Sequence, residues 1–252
     1  MDVTAEVSRA DAVSAACSRR LYGHGRRTPG ESLAELADEA ARGGDADRYG
    51  DGGVVAEVEQ QVRTLFDAPA AVLMPSGVMV QQIALRIHAD ARGRRTVAMH
   101  PTSHAVLHEE GTLAALHGLT VATVGAPDAL VTVEELMAVP SAAAVLLELP
   151  QRETGGQLMP YEDVERLSGL CRKAGTALHL DGARLWECGP AYGRPLADVV
   201  ALADSTYVSL YKGLGGPAGA VLLGTAELVE QARVWRRRHG GTLPSLWPLA
   251  LG

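Results

Sequence analysis

Two short segments of the chain combine residues that can carry covalent chemistry. The first reads HLDGAR at 179–184, and the second reads SLYKGLGGPAG at 209–219. In the first, Asp181 follows an apolar run, and carboxylates at the C-terminal ends of parallel strands lie where open α/β sheets bind ligands. In the second, Lys212 stands between an apolar run and a cluster of glycines. Partial burial there would lower its pKa and make the neutral amine a nucleophile.

Each segment alone has a simpler explanation, because Asp181 could be a turn or cap residue and Lys212 a surface lysine in a hairpin turn. Together they favour one cofactor. Pyridoxal phosphate needs a lysine for its aldehyde and an acid beside its pyridine nitrogen, which keeps the ring protonated as an electron sink. Lys212 and Asp181 would meet both needs from neighbouring strand ends. Arg184 could then bind the phenolic edge of the ring or a substrate carboxylate.

A third segment, MPSGVMVQQIAL at 74–85, predicts a place for the cofactor phosphate. Its pattern is typical of a strand, a turn of small residues and an apolar helix. Ser76, Gly77 and the backbone N–H of Val78 would lie at the helix N-terminus, where free N–H groups and the helix dipole bind anions. Ser76 could instead be a simple N-cap.

The elements that must position these residues alternate along the chain. Seven short apolar runs indicate buried strands, at 70–74, 96–99, 119–124, 143–149, 177–180, 206–210 and 218–223. Helical patterns lie between and around them, at 54–66, 76–89, 107–117, 133–137, 163–173 and 226–239. This alternation predicts an α/β fold, a three-layer αβα sandwich with a mixed, mostly parallel seven-stranded sheet. The last two runs are too close for a parallel crossover, so they should pair antiparallel.

The composition is that of an ordinary globular protein, with 47% hydrophobic and 21% charged residues among 252. A formal net charge of −7 disfavours binding to nucleic acid or acidic membranes. Cys17, Cys171 and Cys188 have no CxxC spacing, which argues against disulfides and a zinc site. No signal peptide is visible, and no apolar stretch approaches the about 20 residues of a membrane helix. We therefore expect a cytoplasmic protein without a bound metal.

Four polar or terminal segments complete the sequence-based picture. The turn-rich GGDADRYGDGG at 43–53 is predicted to be a surface loop, and the arginine runs at 94–95 and 236–238 to be solvated helix ends. At 240–252, GGTLPSLWPLALG presents Trp247, Leu249 and Leu251 without a second core to bury them. We therefore expect an N-terminal arm and helix at 1–45, a large cofactor-binding domain at 46–240 and the start of a truncated small domain at 241–252.

The segments from about 48 to 241 resemble the threonine aldolase and β-eliminating lyase family of fold-type-I pyridoxal phosphate enzymes. The resemblance is carried by DRYGDGGVVAEVEQQVRTLFDAPAAVLMPSG, SHAVLHEEG, HLDGARLWE and YKGLGGPAG. It implies that Lys212 is the Schiff-base lysine and Asp181 the partner of the pyridinium nitrogen. Arg184 resembles the family arginine near the cofactor and the substrate carboxylate. By the same resemblance, the turn at 77–78 would hold the phosphate.

His104, in SHAVLHEEG, resembles the family histidine that stacks on the cofactor ring and helps move the substrate hydroxyl proton. Without the family, a histidine just before a helix would be a cap or surface group, and His108, His117 and His179 are interpreted as structural. Gln151 stands where the family has a histidine implicated in aldol chemistry, and a glutamine is no base near neutral pH. The family's N-terminal Ser-Asp-Thr signature is replaced by YGHGRRTP at 22–29, which includes His24. We also expect this chain to lack the C-terminal small domain of the family, with its further arginine.

The resemblance implies a pyridoxal phosphate-dependent lyase acting on a small β-substituted amino acid, by aldol cleavage or β-elimination. It also implies a homodimer or homotetramer, in which Tyr49, Glu57 and Gln60 approach a neighbouring site. Another reaction of the same cofactor remains open (transamination, racemisation or decarboxylation), as does a protein that binds the cofactor but is catalytically inert. A dinucleotide-binding fold is disfavoured, because no G-x-G-x-x-G follows a strand.

Overall fold

The structure is a computed structural model that describes residues 12, 13, 16, 17 and 27–251. Its centre is a seven-stranded sheet of β1 (Ala70–Met74), β2 (Thr96–Met99), β3 (Thr120–Thr123), β4 (Ala144–Glu148), β5 (Ala177–Gly182), β6 (Ser205–Ser209) and β7 (Ala220–Gly224). The spatial order is β1-β7-β6-β5-β4-β2-β3. The strands from β3 across to β6 are parallel, and β7 is antiparallel to both its neighbours. The predicted fold class is therefore confirmed, including the antiparallel last pair.

Helices cover both faces of this sheet. They are α1 (Pro29–Ala40), α2 (Gly53–Leu65), α3 (Gly77–Arg92), α4 (His104–Leu107), α5 (Thr112–His117), α6 (Val133–Met137), α7 (Tyr161–Ala174), α8 (Gly189–Tyr192), α9 (Leu196–Val200), α10 (Ala226–Arg238) and α11 (Trp247–Ala250), with 3-10 turns at Arg152–Thr154 and Leu185–Glu187. The apolar residues of α2, α6, α7 and α9 share one core with the sheet, whereas α3, α5 and α10 pack on the opposite face. None of the helices described here is long and apolar enough to cross a membrane.

The segment 107–117, predicted as one helix, forms two short helices instead. α4 ends at Leu107 and α5 begins at Thr112. Between them, Glu110 and Gly111 have φ values of 51° and 66°, in the left-handed region that a right-handed helix cannot contain. The prediction was wrong because the apolar period continues across a break in the backbone. The break lets Glu109 turn back toward the start of α4.

Asp47 joins the loop at 43–53 to the segment before α11. It is 5% exposed, so the prediction of a surface loop was wrong at this residue. One carboxylate oxygen accepts the N–H groups of Leu246 and Trp247, each at 2.7 Å, and the other accepts the N–H of Gly50 at 2.7 Å. Leu249 then packs against the larger core. The segment therefore has burial partners that its sequence alone did not indicate.

Side chains from α2 and α10 cover the edge strand β1. Glu59 accepts the N–H of Leu73 at 2.8 Å, and Arg236 donates to the carbonyl of Leu73 at 2.8 Å. Arg233 pairs with Glu59 at 2.6 Å. Arg236 is 2% exposed, so its interpretation as part of a solvated helix end was wrong. An edge strand leaves backbone groups unpaired, and here buried side chains satisfy them.

We predict that Asp47→Asn destabilises the protein by about 2–3 kcal/mol, because charge-assisted bonds to buried N–H groups are lost. Equilibrium urea unfolding measures the change. Asp45→Asn is the matched control, since Asp45 is exposed in the same loop and should leave the free energy of unfolding unchanged. Equal stability of the two variants would contradict the role given to Asp47.

Candidate active site

A pocket lies where β4 and β5 end and the loop after β6 begins. It is lined by His104, Glu148, Leu149, Pro150, Arg152, Asp181, Ala183, Arg184 and Lys212. This is the carboxyl edge of the parallel strands, where α/β sheets bind ligands. The structure thus brings together four residues that the sequence singled out as candidates: Lys212, Asp181, Arg184 and His104.

Asp181 lies inside the sheet at the base of this pocket and is 2% exposed. Its Oδ1 accepts the N–H of Ala183 at 3.0 Å, and its Oδ2 accepts the side-chain amide of Gln81 from α3. Burial raises the pKa of Asp181, while the Ala183 N–H and the charge of Lys212 act in the opposite direction. A positive group bound beside this carboxylate would stabilise its ionised form.

Glu148 is a second buried carboxyl group, which the sequence reasoning did not single out. It is the partner of Asp181 in the register of β4 and β5. It accepts the backbone N–H of Arg152 at 3.2 Å and of His104 at 3.4 Å. Burial, and then the charge of Asp181, raise the pKa of Glu148. Its place at the end of a parallel strand was the signal available in the sequence.

Lys212 lies in the loop between β6 and β7, where its backbone N–H donates to Ser209 Oγ at 3.2 Å. Burial lowers the pKa of its amine; Asp181 acts in the opposite direction, and Arg184 and Arg152 add to the lowering. A lysine with a lowered pKa holds more neutral amine at a given pH. Lys212 is therefore better prepared for nucleophilic attack than a surface lysine.

His104 is the first residue of α4, and its imidazole is hydrogen-bonded to Glu109. Its Nδ1 lies 3.0 Å from Glu109 Oε1, and the Glu109 side chain is fully buried. This hydrogen bond raises the pKa of His104, and burial opposes it. Because Nδ1 is engaged, Nε2 is the ring nitrogen left to exchange a proton with a bound molecule. Glu109 was missed from the sequence, because the predicted single helix placed it elsewhere.

The N-terminus of α3 lies at the same edge of the sheet as the pocket. Ser76 is the N-cap, and its Oγ accepts the N–H of Met79 at 3.3 Å, so the capping interpretation describes its contact here. The first-turn N–H groups, such as that of Val78, have no acceptor within the helix. They are the groups with which a helix N-terminus binds an anion.

Gly77 allows a close approach between α3 and the sheet. A Cβ at this position would collide with the hydroxyl group and ring of Tyr207 on β6. Gln81, one turn further along α3, reaches Asp181. The close approach therefore brings the helix end and the buried carboxylate to the same site.

Two guanidinium groups line the pocket. Arg184 opens the 3-10 turn at Leu185–Glu187 and lies 3.4 Å from Glu187 Oε1. Arg152, which the sequence reasoning did not single out, lies 3.6 Å from Glu153 Oε1. Either could bind a carboxylate.

Gln151 is not among the residues that line the pocket. It is 2% exposed, its side-chain amide donates to Thr102 Oγ1 at 3.2 Å and its backbone N–H donates to the Gln157 carbonyl at 2.8 Å. Gln151 therefore supplies no group to this pocket, whose titratable side chains are His104, Glu148, Asp181 and Lys212. The sequence expectation for His24 lies outside the described residues.

The chain matches the family model described as beta-eliminating lyase over residues 28–246. It is 30% identical over 208 residues to the probable low-specificity L-threonine aldolase 2 of Arabidopsis thaliana. The matched region covers 78% of this chain and 58% of that protein. It is 30% identical over 220 residues to the low specificity L-threonine aldolase of Escherichia coli strain K12, covering 84% of this chain and 65% of that protein. The chain thus spans between half and two thirds of the length of these curated relatives.

Among solved structures, a putative aromatic amino acid beta-eliminating lyase/threonine aldolase from Exiguobacterium sp. has a TM-score of 0.90 and 43% identity, covering 96% of this chain and 68% of that one. A putative L-allo-threonine aldolase from Listeria monocytogenes has a TM-score of 0.88 and 44% identity, covering 92% of this chain and 64% of that one. The resemblance seen in the sequence is confirmed: the chain belongs to the threonine aldolase and β-eliminating lyase family.

Proposed function

We propose that this chain binds pyridoxal phosphate and acts as a lyase on small β-hydroxy amino acids, cleaving the bond between Cα and Cβ. The observation that carries the proposal is the meeting of Lys212 and Asp181 in one pocket at the strand ends of a family member. When bound, the cofactor supplies an aldehyde for amines and a protonated ring that accepts electrons from the substrate.

The side chains of the pocket suit this group. Lys212 has an amine of lowered pKa, as attack on an aldehyde requires. Asp181 is a buried carboxylate that a cationic ring nitrogen would stabilise. The N–H groups at the start of α3, at Gly77 and Val78, suit a phosphate. Ser76 could add its hydroxyl group to theirs.

The remaining residues would bind and deprotonate the substrate. Arg184 would hold the α-carboxylate, with a fork of N–H donors that suits two oxygens. His104 Nε2 would take the proton of the β-hydroxyl group as the Cα–Cβ bond breaks, giving an aldehyde and glycine. Glu109 holds the imidazole for this transfer through Nδ1. Lys212 would return a proton to Cα.

Gln151 favours a second candidate reaction, β-elimination. A glutamine bonded to Thr102 provides no second base near the substrate hydroxyl group. Elimination of a β-substituent does not require that this hydroxyl group be deprotonated. Transamination, racemisation and decarboxylation stay open as well, as does cofactor binding without turnover.

Assembly as a homodimer or homotetramer, a cytoplasmic location and the domain bounds at 45 and 240 also remain predictions. Tyr49 is 51% exposed, which is compatible with a contact to a neighbouring subunit.

Protein incubated with pyridoxal phosphate should show an absorbance of the attached cofactor that Lys212→Ala lacks. Borohydride reduction should then label Lys212. The chain has only one other lysine, Lys173, which is exposed on α7. Lys173→Ala is therefore the matched control and should label as the wild type does. Because the pKa of Lys212 is lowered, attachment should reach its plateau at a lower pH than with free lysine. Labelling of Lys173 alone would refute the assignment.

Incubation of the holoprotein with threonine, allo-threonine and serine, followed by assay of aldehyde, glycine and keto acid, separates the candidate reactions. We expect glycine and acetaldehyde in equal amounts from a threonine. Keto acid without glycine would instead identify β-elimination. Cofactor binding with no product from any of the three would support a catalytically inert protein.

His104→Asn should lower kcat by about 100-fold or more, the typical contribution of a general base, while cofactor binding is retained. His108→Asn is the control, since its ring lies 5.1 Å from that of His104 but does not line the pocket. Glu109→Gln should move the acid limb of the kcat/KM profile to lower pH, because Glu109 raises the pKa of His104. An unchanged limb would remove His104 from the proposed proton transfer.

A further inference from the structure

A hydrogen-bonded line of buried side chains leads through the protein to Asp181. His88 Nε2 lies 2.7 Å from Ser205 Oγ, and the same oxygen lies 2.7 Å from His179 Nδ1. His179 Nε2 lies 2.6 Å from Gln81 Oε1, and the Gln81 amide nitrogen donates to Asp181 Oδ2. All five side chains belong to residues that are 4% exposed or less. Only Asp181 among them lines the pocket.

The side-chain repeats of helix α3 and strand β5 bring these groups together. Gln81 and His88 are seven residues apart on α3, which is two helical turns, so they lie on one face of the helix. His179 and Asp181 are two residues apart on β5, so they lie on one face of the sheet. Ser205, on the adjacent strand β6, links His179 to His88. The sequence reasoning interpreted His179 as structural because it considered each element separately.

The chemistry of the groups gives this line a direction. An ionised Asp181 can only accept, so the Gln81 amide nitrogen donates to it and the Gln81 oxygen accepts from His179 Nε2–H. Burial lowers the pKa of His179 and of His88 to about 3, so each ring carries one N–H at neutral pH. His179 Nδ1 therefore accepts the hydroxyl proton of Ser205. The oxygen of Ser205 then accepts the N–H from His88 Nε2.

The far end of the line favours the same direction. Arg92 Nη1 lies 3.5 Å from His88 Nδ1, and a guanidinium group can only donate. In this contact His88 Nδ1 is the acceptor, which places the ring proton on Nε2; the same Arg92 nitrogen also donates to the His88 carbonyl at 3.4 Å. In the reverse direction Asp181 would be protonated, and His88 would present a proton to the Arg92 cation. The arginine disfavours that arrangement.

We propose that His88, Ser205, His179 and Gln81 are positioning residues that hold Asp181 as an oriented anion for the ring nitrogen of pyridoxal phosphate. Aligned hydrogen bonds polarise one another, so a line whose donors all point to Asp181 stabilises its negative charge in a buried site. The cofactor part of this inference rests on the proposed function. Outside the line, the charged or titratable groups that interact with Asp181 are Lys212, His104, Glu109, Glu148 and Tyr207, and they are the same whichever way the line runs.

The direction is tested in the cofactor-free protein by nitrogen-15 NMR of labelled histidine, with signals assigned from His88→Gln and His179→Gln. We expect both rings to be neutral at pH 7 to 8, where Asp181 is ionised, with the proton on Nε2. A proton on His179 Nδ1, or a charged His179 ring, would overturn the inference. This readout needs neither cofactor nor activity, so its failure is distinct from a failure of the proposed function.

The effect on Asp181 is tested with Gln81→Met and, as the control, Gln82→Met, at an adjacent residue that is equally buried but outside the line. Carbon-13 NMR of the carboxyl group should show a higher pKa for Asp181 in Gln81→Met only. The dissociation constant of pyridoxal phosphate should rise at least fivefold in that variant and less than twofold in the control. An unchanged Asp181 pKa in a folded Gln81→Met protein would refute the role. If that variant does not fold, the histidine tautomers of the wild type decide.

Discussion

Asp181 is a carboxylate placed in the interior of an apolar sandwich, and the groups around it follow from that placement. A charged group without partners in such a place costs far more free energy than a neutral one. Here one oxygen has a backbone donor and the other has Gln81. The lysine amine and the imidazole of His104 supply the nearby positive charge. On the pocket side, a bound molecule can also contact Asp181 and balance its charge.

The same constraint explains why so much polar structure lies on the α3 side of the sheet. Most of that helix is buried and apolar, yet it carries Gln81, Gln82 and His88 inward. Buried polar groups are tolerated where each has a hydrogen-bond partner, because an unpaired donor or acceptor loses its bonds to water and gains none in the protein. Gln81 and His88 find theirs in Asp181 and Ser205. The core on this side therefore combines packing with an ordered set of hydrogen bonds.

The strands and the main residues of the pocket could be predicted because buried parallel strands are continuous apolar runs and ligands bind at their carboxyl ends. Contacts between polar side chains of different helices and strands could not be predicted. The position of Glu109 depends on a left-handed break in the backbone, which the apolar period of the sequence does not show. The contacts of Gln151 and Arg236 depend on residues far away in the sequence. Glu148 required the register of β4 against β5. Local patterns thus predicted the framework, and tertiary contacts determined which polar groups meet.

Gly77 is small because the ring of Tyr207 occupies the place of its side chain. Tyr207 belongs to the strand that leads, five residues later, to Lys212, while Gly77 opens α3, which begins at the same edge of the sheet as the pocket. The contact therefore fixes the separation between the N-terminus of α3 and the strand that leads to Lys212. A single methyl group at position 77 would widen that separation, because Tyr207 leaves no room for it.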